Sequence, residues 1–129
     1  MTAPSRALRL LPGRFAVCRL EARAPLPAWV FHDDATLWSL TRTPDELSIV
    51  CDEDAVPPSV ARVEPGWRAF QVEGPIPFDE TGVLAGLATA LADAGIPLFA
   101  LSTFDTDLVL VKEGDLERAI AALRARHRV

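Results

Sequence analysis

The residue types able to do chemistry in this chain are few and scattered. Cys18 and Cys51 each sit inside an apolar, strand-like run, and His32 and His127 are the only histidines. A catalytic thiol needs a base beside it and a lowered pKa. Zinc needs a clustered set of nitrogen and sulfur ligands. Neither pattern is present, so the cysteines read as two buried free thiols of a reducing compartment. Asp79, Asp105 and Asp107 could act as acid and base or hold Mg²⁺. No phosphate loop or oxyanion device accompanies them. No catalytic residue, metal site or cofactor is therefore expected. The stretch that invites explanation is ALSTFDTDLVLVKE, residues 100–113. A strand stops at Ser102, turns through Thr103–Thr106 and resumes at Leu108. Hairpin turns favour small, flexible residues, yet this one has no Gly or Asn and carries Phe104 and two carboxylates.

A free α-amino acid presents a carboxylate and an ammonium a few ångströms apart. Its site needs donors on one side and an anion on the other. The helix expected to start near Thr81-Gly82-Val83 leaves backbone N–H groups unpaired at its N-terminus, and these with the helix dipole attract a carboxylate. Gly82 has no side chain to keep a ligand from the backbone. Asp107 is then the candidate acceptor for the ammonium and Phe104 a wall for the aliphatic part. The candidate set is Asp79, Thr81, Gly82, Val83 and Leu84 at the helix start, with Thr103, Phe104 and Asp107 in the turn. A carboxylate at a helix end contributes about 0.3–2 kcal/mol, and one charge-assisted hydrogen bond about 1.5–3 kcal/mol. A micromolar-to-millimolar sensor needs roughly 4–8 kcal/mol, so a side-chain pocket must add the rest and select the ligand. The structural alternatives are a turn-capping Asp107, a Phe104 packed beneath the loop, a Gly82 that lets helix and sheet pack closely, and Asp79 and Glu80 as first-turn dipole residues.

The elements that must position these residues follow from pattern. Residues 7–11, 15–22, 37–43, 47–52, 67–74, 96–102 and 107–113 read as strands. Pro-broken 23–31 holds at best a helical turn near Pro27–Val30. Residues 56–66 read as a connector with turn chemistry. The clearest helix covers 81–94, with Leu84, Leu87, Ala88 and Leu91 at helical spacing. Thr81 or Asp79 can cap it, and Gly95 ends it ahead of Pro97. A second helix, Asp115 to about Arg126, lines up Leu116, Ala119, Ile120 and Leu123. Trp29, Trp38 and Trp67 read as core or interface residues and the RARHRV tail as a solvated helix end.

The second half thus has the split βαβ, ferredoxin-like order without its last strand, and strand 7–11 is the obvious donor of the missing edge. In this order strands 67–73 and 96–102 flank the strand that pairs with both, which lets the 102–107 turn fall near the 74–82 loop. Laid without a gap over residues 98–115, residues 37–54 match at Leu37, Leu40, Leu47, Val50 and Asp54. This makes Arg42 and Glu46 the counterparts of Thr103 and Asp107, a pair that could form a degenerate second site and is expected to form a surface ion pair. The fold class is α+β, with two ferredoxin-like units in tandem, 1–63 with a degraded helix and 64–129 with an intact one. The strands are apolar on both faces, so a second copy of the chain is expected to cover them, as a homodimer.

Bulk properties agree. The chain has 129 residues, half of them apolar, and a formal charge of −5. That is enough for one ordinary domain or two very small ones, and an acidic chain is a poor nucleic-acid binder. No apolar run is long enough to span a membrane, and MTAPSRALRLLPGRF lacks the apolar core of a signal peptide. The expected compartment is the cytoplasm.

The runs LSTFDTDLVLVKEGDLERAIAAL and VEGPIPFDETGVLAGLATALADAGIPLFA, with SLTRTPDELSIVC and LPGRFAVCRL upstream, resemble the tandem ACT-domain family related to the CASTOR arginine sensors and the regulatory domains of aspartate kinase. The resemblance implies an ACT (βαββαβ) fold and a non-enzymatic regulatory protein. It also implies binding of an amino acid of unspecified identity at a domain interface, and signalling to a protein partner or through the dimer. The alternative reading is a ligand-free interaction or assembly module.

Overall fold

The computed structural model describes residues 6–129. Residues 1–5, the start of the segment read as carrying no signal peptide, lie outside the described residues. In chain order the elements are β1 (Leu8–Leu10), β2 (Phe15–Leu20), β3 (Ser39–Arg42), β4 (Leu47–Asp52), β5 (Val63–Val72), α1 (Val83–Asp93), β6 (Phe99–Ser102), β7 (Asp107–Lys112) and α2 (Leu116–Arg124). They fall into two units. One, the two-helix unit, joins the residues up to Leu11 to Arg68–Val129, and the other, the helix-poor unit, is Pro12–Trp67. Among the described residues no helix is long and apolar enough to cross a membrane.

The two-helix unit has the strand order β1–β5–β7–β6. β1 pairs antiparallel with the end of β5, Leu8 opposite Val72, and supplies the edge that the second half of the sequence lacks. The Arg-rich tail is more than a helix end: Ala7 bridges Arg128 in parallel, and the Leu8 N–H donates to the Arg128 carbonyl at 2.6 Å. Leu87 and Leu91 of α1 and Ala119 and Leu123 of α2 are fully buried with Phe70, Val72, Val109 and Val111. Each such aliphatic side chain contributes roughly 1.5–3 kcal/mol by leaving water. α1 closes as its sequence demands. Gly95 adopts φ 72°, its N–H donates to the Ala92 carbonyl, and the Ile96 N–H reaches back to Leu91, both at 2.9 Å. These are the paired bonds of a Schellman motif.

The helix-poor unit has the order β3–β4–β2–β5. Its prolines explain the missing helices. After Pro25 and Pro27 only a 3-10 turn, Ala28–Val30, forms. After the 3-10 turn Glu53–Ala55, Pro57 and Pro58 remove two backbone donors where a helix would continue. A small core of Ala16, Cys18, Val30, Leu47, Ile49 and Cys51 remains, with Trp29, Val56 and Val60 packed on it.

β5 begins earlier than expected. Residues 63–66, assigned to a connector, are strand, because Pro65-Gly66 forms a bulge rather than a turn. Trp67 lies opposite Phe15 but Glu64 opposite Val17, so β5 carries one extra residue there. Gly66 takes φ 81°, a conformation costly for other residues, and its N–H donates to the Glu53 carboxylate at 2.7 Å.

The two hairpins correct the ungapped overlay by one residue. Ser39 faces Val50 in one and Phe99 faces Leu110 in the other. The Thr43 N–H donates to the Glu46 carbonyl at 2.9 Å, and the Thr103 N–H to the Thr106 carbonyl at 2.8 Å. Thr43 therefore corresponds to Thr103, and Leu47 to Asp107. The overlay matched leucines that point to opposite faces, the error a one-residue slip produces in a strand. Arg42 does not pair with Glu46 as expected. Its guanidinium donates to the Ala22 and Ala24 carbonyls, the latter at 2.7 Å.

Candidate functional site

The site builds up from a tight turn. Thr103 and Thr106 close it: beyond their backbone bond, the Thr106 N–H donates to Thr103 Oγ1 at 3.2 Å. Thr106 is buried, and its hydroxyl donates to the Val72 carbonyl of β5. Replacing Thr106 with Val keeps the volume but removes the buried hydroxyl's bond to the Val72 carbonyl. Thr106→Val should cost about 1–3 kcal/mol in urea unfolding, with the midpoint shifted and the slope unchanged.

The loop after β5 is held onto this turn. The Ile76 N–H donates to the Asp105 carbonyl at 2.7 Å. A Cβ at Gly74 would sit 2.7 Å from that same oxygen, so only glycine permits the approach. Phe78 and Phe104 meet edge to face with centroids 4.8 Å apart, a favoured aromatic geometry. Phe104 is 78 % exposed and Phe78 76 %. Phe104 is therefore not core beneath the loop. Phe78 belongs to the candidate set, and its signal was a lone aromatic in the polar run PIPFDET.

The helix start differs from expectation in its cap. α1 begins at Val83, and the N-cap is Gly82 with φ 87° and no capping side chain. Neither Thr81 nor Asp79 occupies that position. The first turn holds no acidic residue, so Asp79 and Glu80 are not dipole residues of the helix. Glu80 instead pairs with Arg6, whose Nε lies 3.1 Å from Oε2. A Cβ on Gly82 would meet nothing within 4 Å, so close helix–sheet packing does not explain this glycine, whereas its positive φ does. The Gly82 carbonyl accepts from the Gly86 N–H at 2.9 Å. The N–H groups of Val83 and Leu84, in the first turn, have no partner within the helix.

Asp107 is half-buried at the start of β7 and opposite Ser102. Its Oδ1 accepts from Ser102 Oγ at 2.7 Å, so the local bonding role is present. Alternation along β7 places Asp107 on the same face as Val109 and Val111, which pack under the helices. The geometry joins Ile76 to Asp105, Phe78 to Phe104 and Val72 to Thr106. Asp79 and Thr81 are exposed on the same loop.

The cysteines stay outside this chemistry. Both are free and buried, and they share a hydrogen bond across the β2–β4 pair. That bond and burial push the Cys51 thiol far above its ordinary range, which keeps it protonated and unreactive. The same bond holds the Cys18 thiol below its ordinary value, so its protection rests on burial; at mildly alkaline pH, maleimide labelling followed by mass spectrometry should find both thiols unmodified in the folded protein and fully modified in guanidinium. No group of three or more His, Cys, Asp or Glu side chains able to hold a metal occurs among the described residues.

Comparison with known proteins agrees with this architecture. The ACT-domain family model matches residues 62–125, and a second model, of an N-terminal domain, matches residues 13–59. The chain belongs to the ACT-domain family. Within it, the chain is similar to the cytosolic arginine sensor for mTORC1 subunit 1 of Homo sapiens, a CASTOR protein, at 39% identity over 61 residues. That stretch is 46% of this chain but 18% of the sensor, so the chain spans only a small part of the relative's length. The crystal structure of an Agrobacterium tumefaciens protein is 44% identical, with a TM-score of 0.88 over 98% of this chain and 92% of that one. The regulatory subunit of aspartate kinase from Thermus thermophilus shares the fold, with a TM-score of 0.65 at 13% identity over 95% of this chain and 98% of that one.

Proposed function

We propose that this chain is a non-catalytic regulatory protein that binds a free amino acid between the α1 start and the 102–107 turn, as an assembly of two ACT-like units. The supporting observation is the pinning of the 74–82 loop to that turn, through the Ile76–Asp105 bond and the Phe78–Phe104 pair. It holds the loop that leads into α1 against an acidic hairpin corner, in a chain similar to an arginine sensor. Val83 and Leu84 N–H groups take the ligand carboxylate, Asp107 its ammonium, and the two phenyl rings wall its side chain. Thr103 holds the turn in shape. The equal strand orders of the two units, β5–β2–β4–β3 and β1–β5–β7–β6, support a duplicated fold whose first copy has lost its helices. The ligand orders the loop and the turn, and so biases a homodimer or a protein partner through linked equilibria. The compartment is the cytoplasm.

The test is thermal unfolding in the presence of each of the twenty amino acids, with light scattering for assembly state. The reading expects one or a few to raise the midpoint in proportion to the logarithm of concentration. A flat response to all twenty contradicts it. The high exposure of Phe78 and Phe104 favours a second reading, a ligand-free module that uses the aromatic pair to meet another protein. That reading predicts the flat response together with loss of assembly in Phe104→Ala.

A further inference from the structure

The helix-poor unit contains a cavity of about 590 Å³ lined by Arg14, Trp29, His32, Asp34, Asp52 and Asp54 among others. Its origin is structural. In the corrected register Ala28–Val30 stands where α1 continues in the other unit, and the Pro57-Pro58 pair stands where α2 begins. Two helices are replaced by short turns, and the end of the sheet at Asp52 is left open beside Trp29. A smaller cavity in the two-helix unit, lined by Ala90, Asp93, Ala94, Ala122, Ala125 and Arg126 among others, holds about 310 Å³ and no aromatic ring. The larger basin thus combines size, an aromatic wall and an acidic bias. Three carboxylates face one guanidinium and one imidazole, and His32 Nε2 lies 3.2 Å from Asp52 Oδ2.

We infer that this basin is a second ligand site, distinct from the loop-and-turn site, which takes a small organic cation bearing an amine or guanidinium. The indole of Trp29 offers a face for the cationic group, and Asp52 and Asp54 offer charge-assisted acceptors. A cation without a carboxylate of its own fits better than a free amino acid, because the three carboxylates outnumber the single Arg14 guanidinium. This separates the two sites by chemistry: the first needs a zwitterion, and the second accepts a cation with no carboxylate.

Agmatine and putrescine are therefore the probes, titrated calorimetrically into the full chain. Saturable binding is expected, weakened roughly tenfold or more by Asp52→Asn with Asp54→Asn. Phe104→Ala and Asp107→Asn should leave it unchanged, which keeps this result independent of the amino-acid site. Asp54 is exposed, so Asp54→Asn alone folds normally and should give a smaller weakening in the same direction. Trp29 indole resonances should shift on titration in amide-correlation NMR. Absence of saturable heat with either amine, or binding indifferent to the aspartate substitutions, overturns the assignment.

Discussion

Gly74→Val will lower the melting temperature by several degrees and remove amino-acid binding together. A Cβ at this position lies 2.7 Å from the Asp105 carbonyl oxygen and 3.3 Å from the Ile76 nitrogen, both backbone atoms that cannot rotate away. The loop must lift off the turn, which breaks the Ile76–Asp105 bond. Overpacking costs about 1–3 kcal/mol and the lost bond about 0.5–1.5 kcal/mol. Their sum corresponds to a fall of roughly 6–17 °C for a chain of this size. Scanning calorimetry measures the stability term, and titration with the amino acid that most raises the wild-type midpoint measures the binding term. Gly86→Ala is the control. A Cβ there meets nothing within 4 Å, and the helix interior favours Ala, so it should gain about 0.5–1 kcal/mol and keep binding.

Asp107→Asn should separate function from fold. The asparagine oxygen can still accept from Ser102 Oγ, now 2.7 Å from Oδ1, so stability should stay within about 0.5 kcal/mol of the wild type. The charge opposite the ligand ammonium is gone. Loss of one charge-assisted bond, about 1.5–3 kcal/mol, weakens affinity roughly 10- to 150-fold. Calorimetric titration of folded Asp107→Asn reads this directly. Unchanged affinity would assign Asp107 to turn bonding alone.

The legible parts of this protein were those where one local rule decides. Leucine spacing and the Gly95-Ile96-Pro97 stop gave α1 to within two residues at either end, and the missing edge of a split βαβ unit called for a strand that β1 supplies. Three features were hidden, each for a physical reason. The Pro65-Gly66 bulge carries the residues of a turn, and only pairing with β2 turns it into strand. The hairpin register slipped because leucines occupy both faces of doubly covered strands, so identity could not distinguish the faces. The helix cap was sought among Thr81 and Asp79, the usual donors of a capping oxygen, but backbone conformation placed Gly82 there. At the site, the turn and Phe104 were visible as an unusual composition. Phe78 and the close approach at Gly74 depend on where a loop lies in space, which no spacing encodes.

The central claim is that the start of α1 and the 102–107 turn hold one zwitterion between them. Amide-correlation NMR of the ¹⁵N-labelled chain, titrated with the amino acid that gives the largest thermal shift, tests it most directly. The account predicts saturable shifts at the Val83 and Leu84 amides and at Thr103–Asp107, with one dissociation constant for all of them. Shifts confined to other residues, or none at any of these amides, would contradict it.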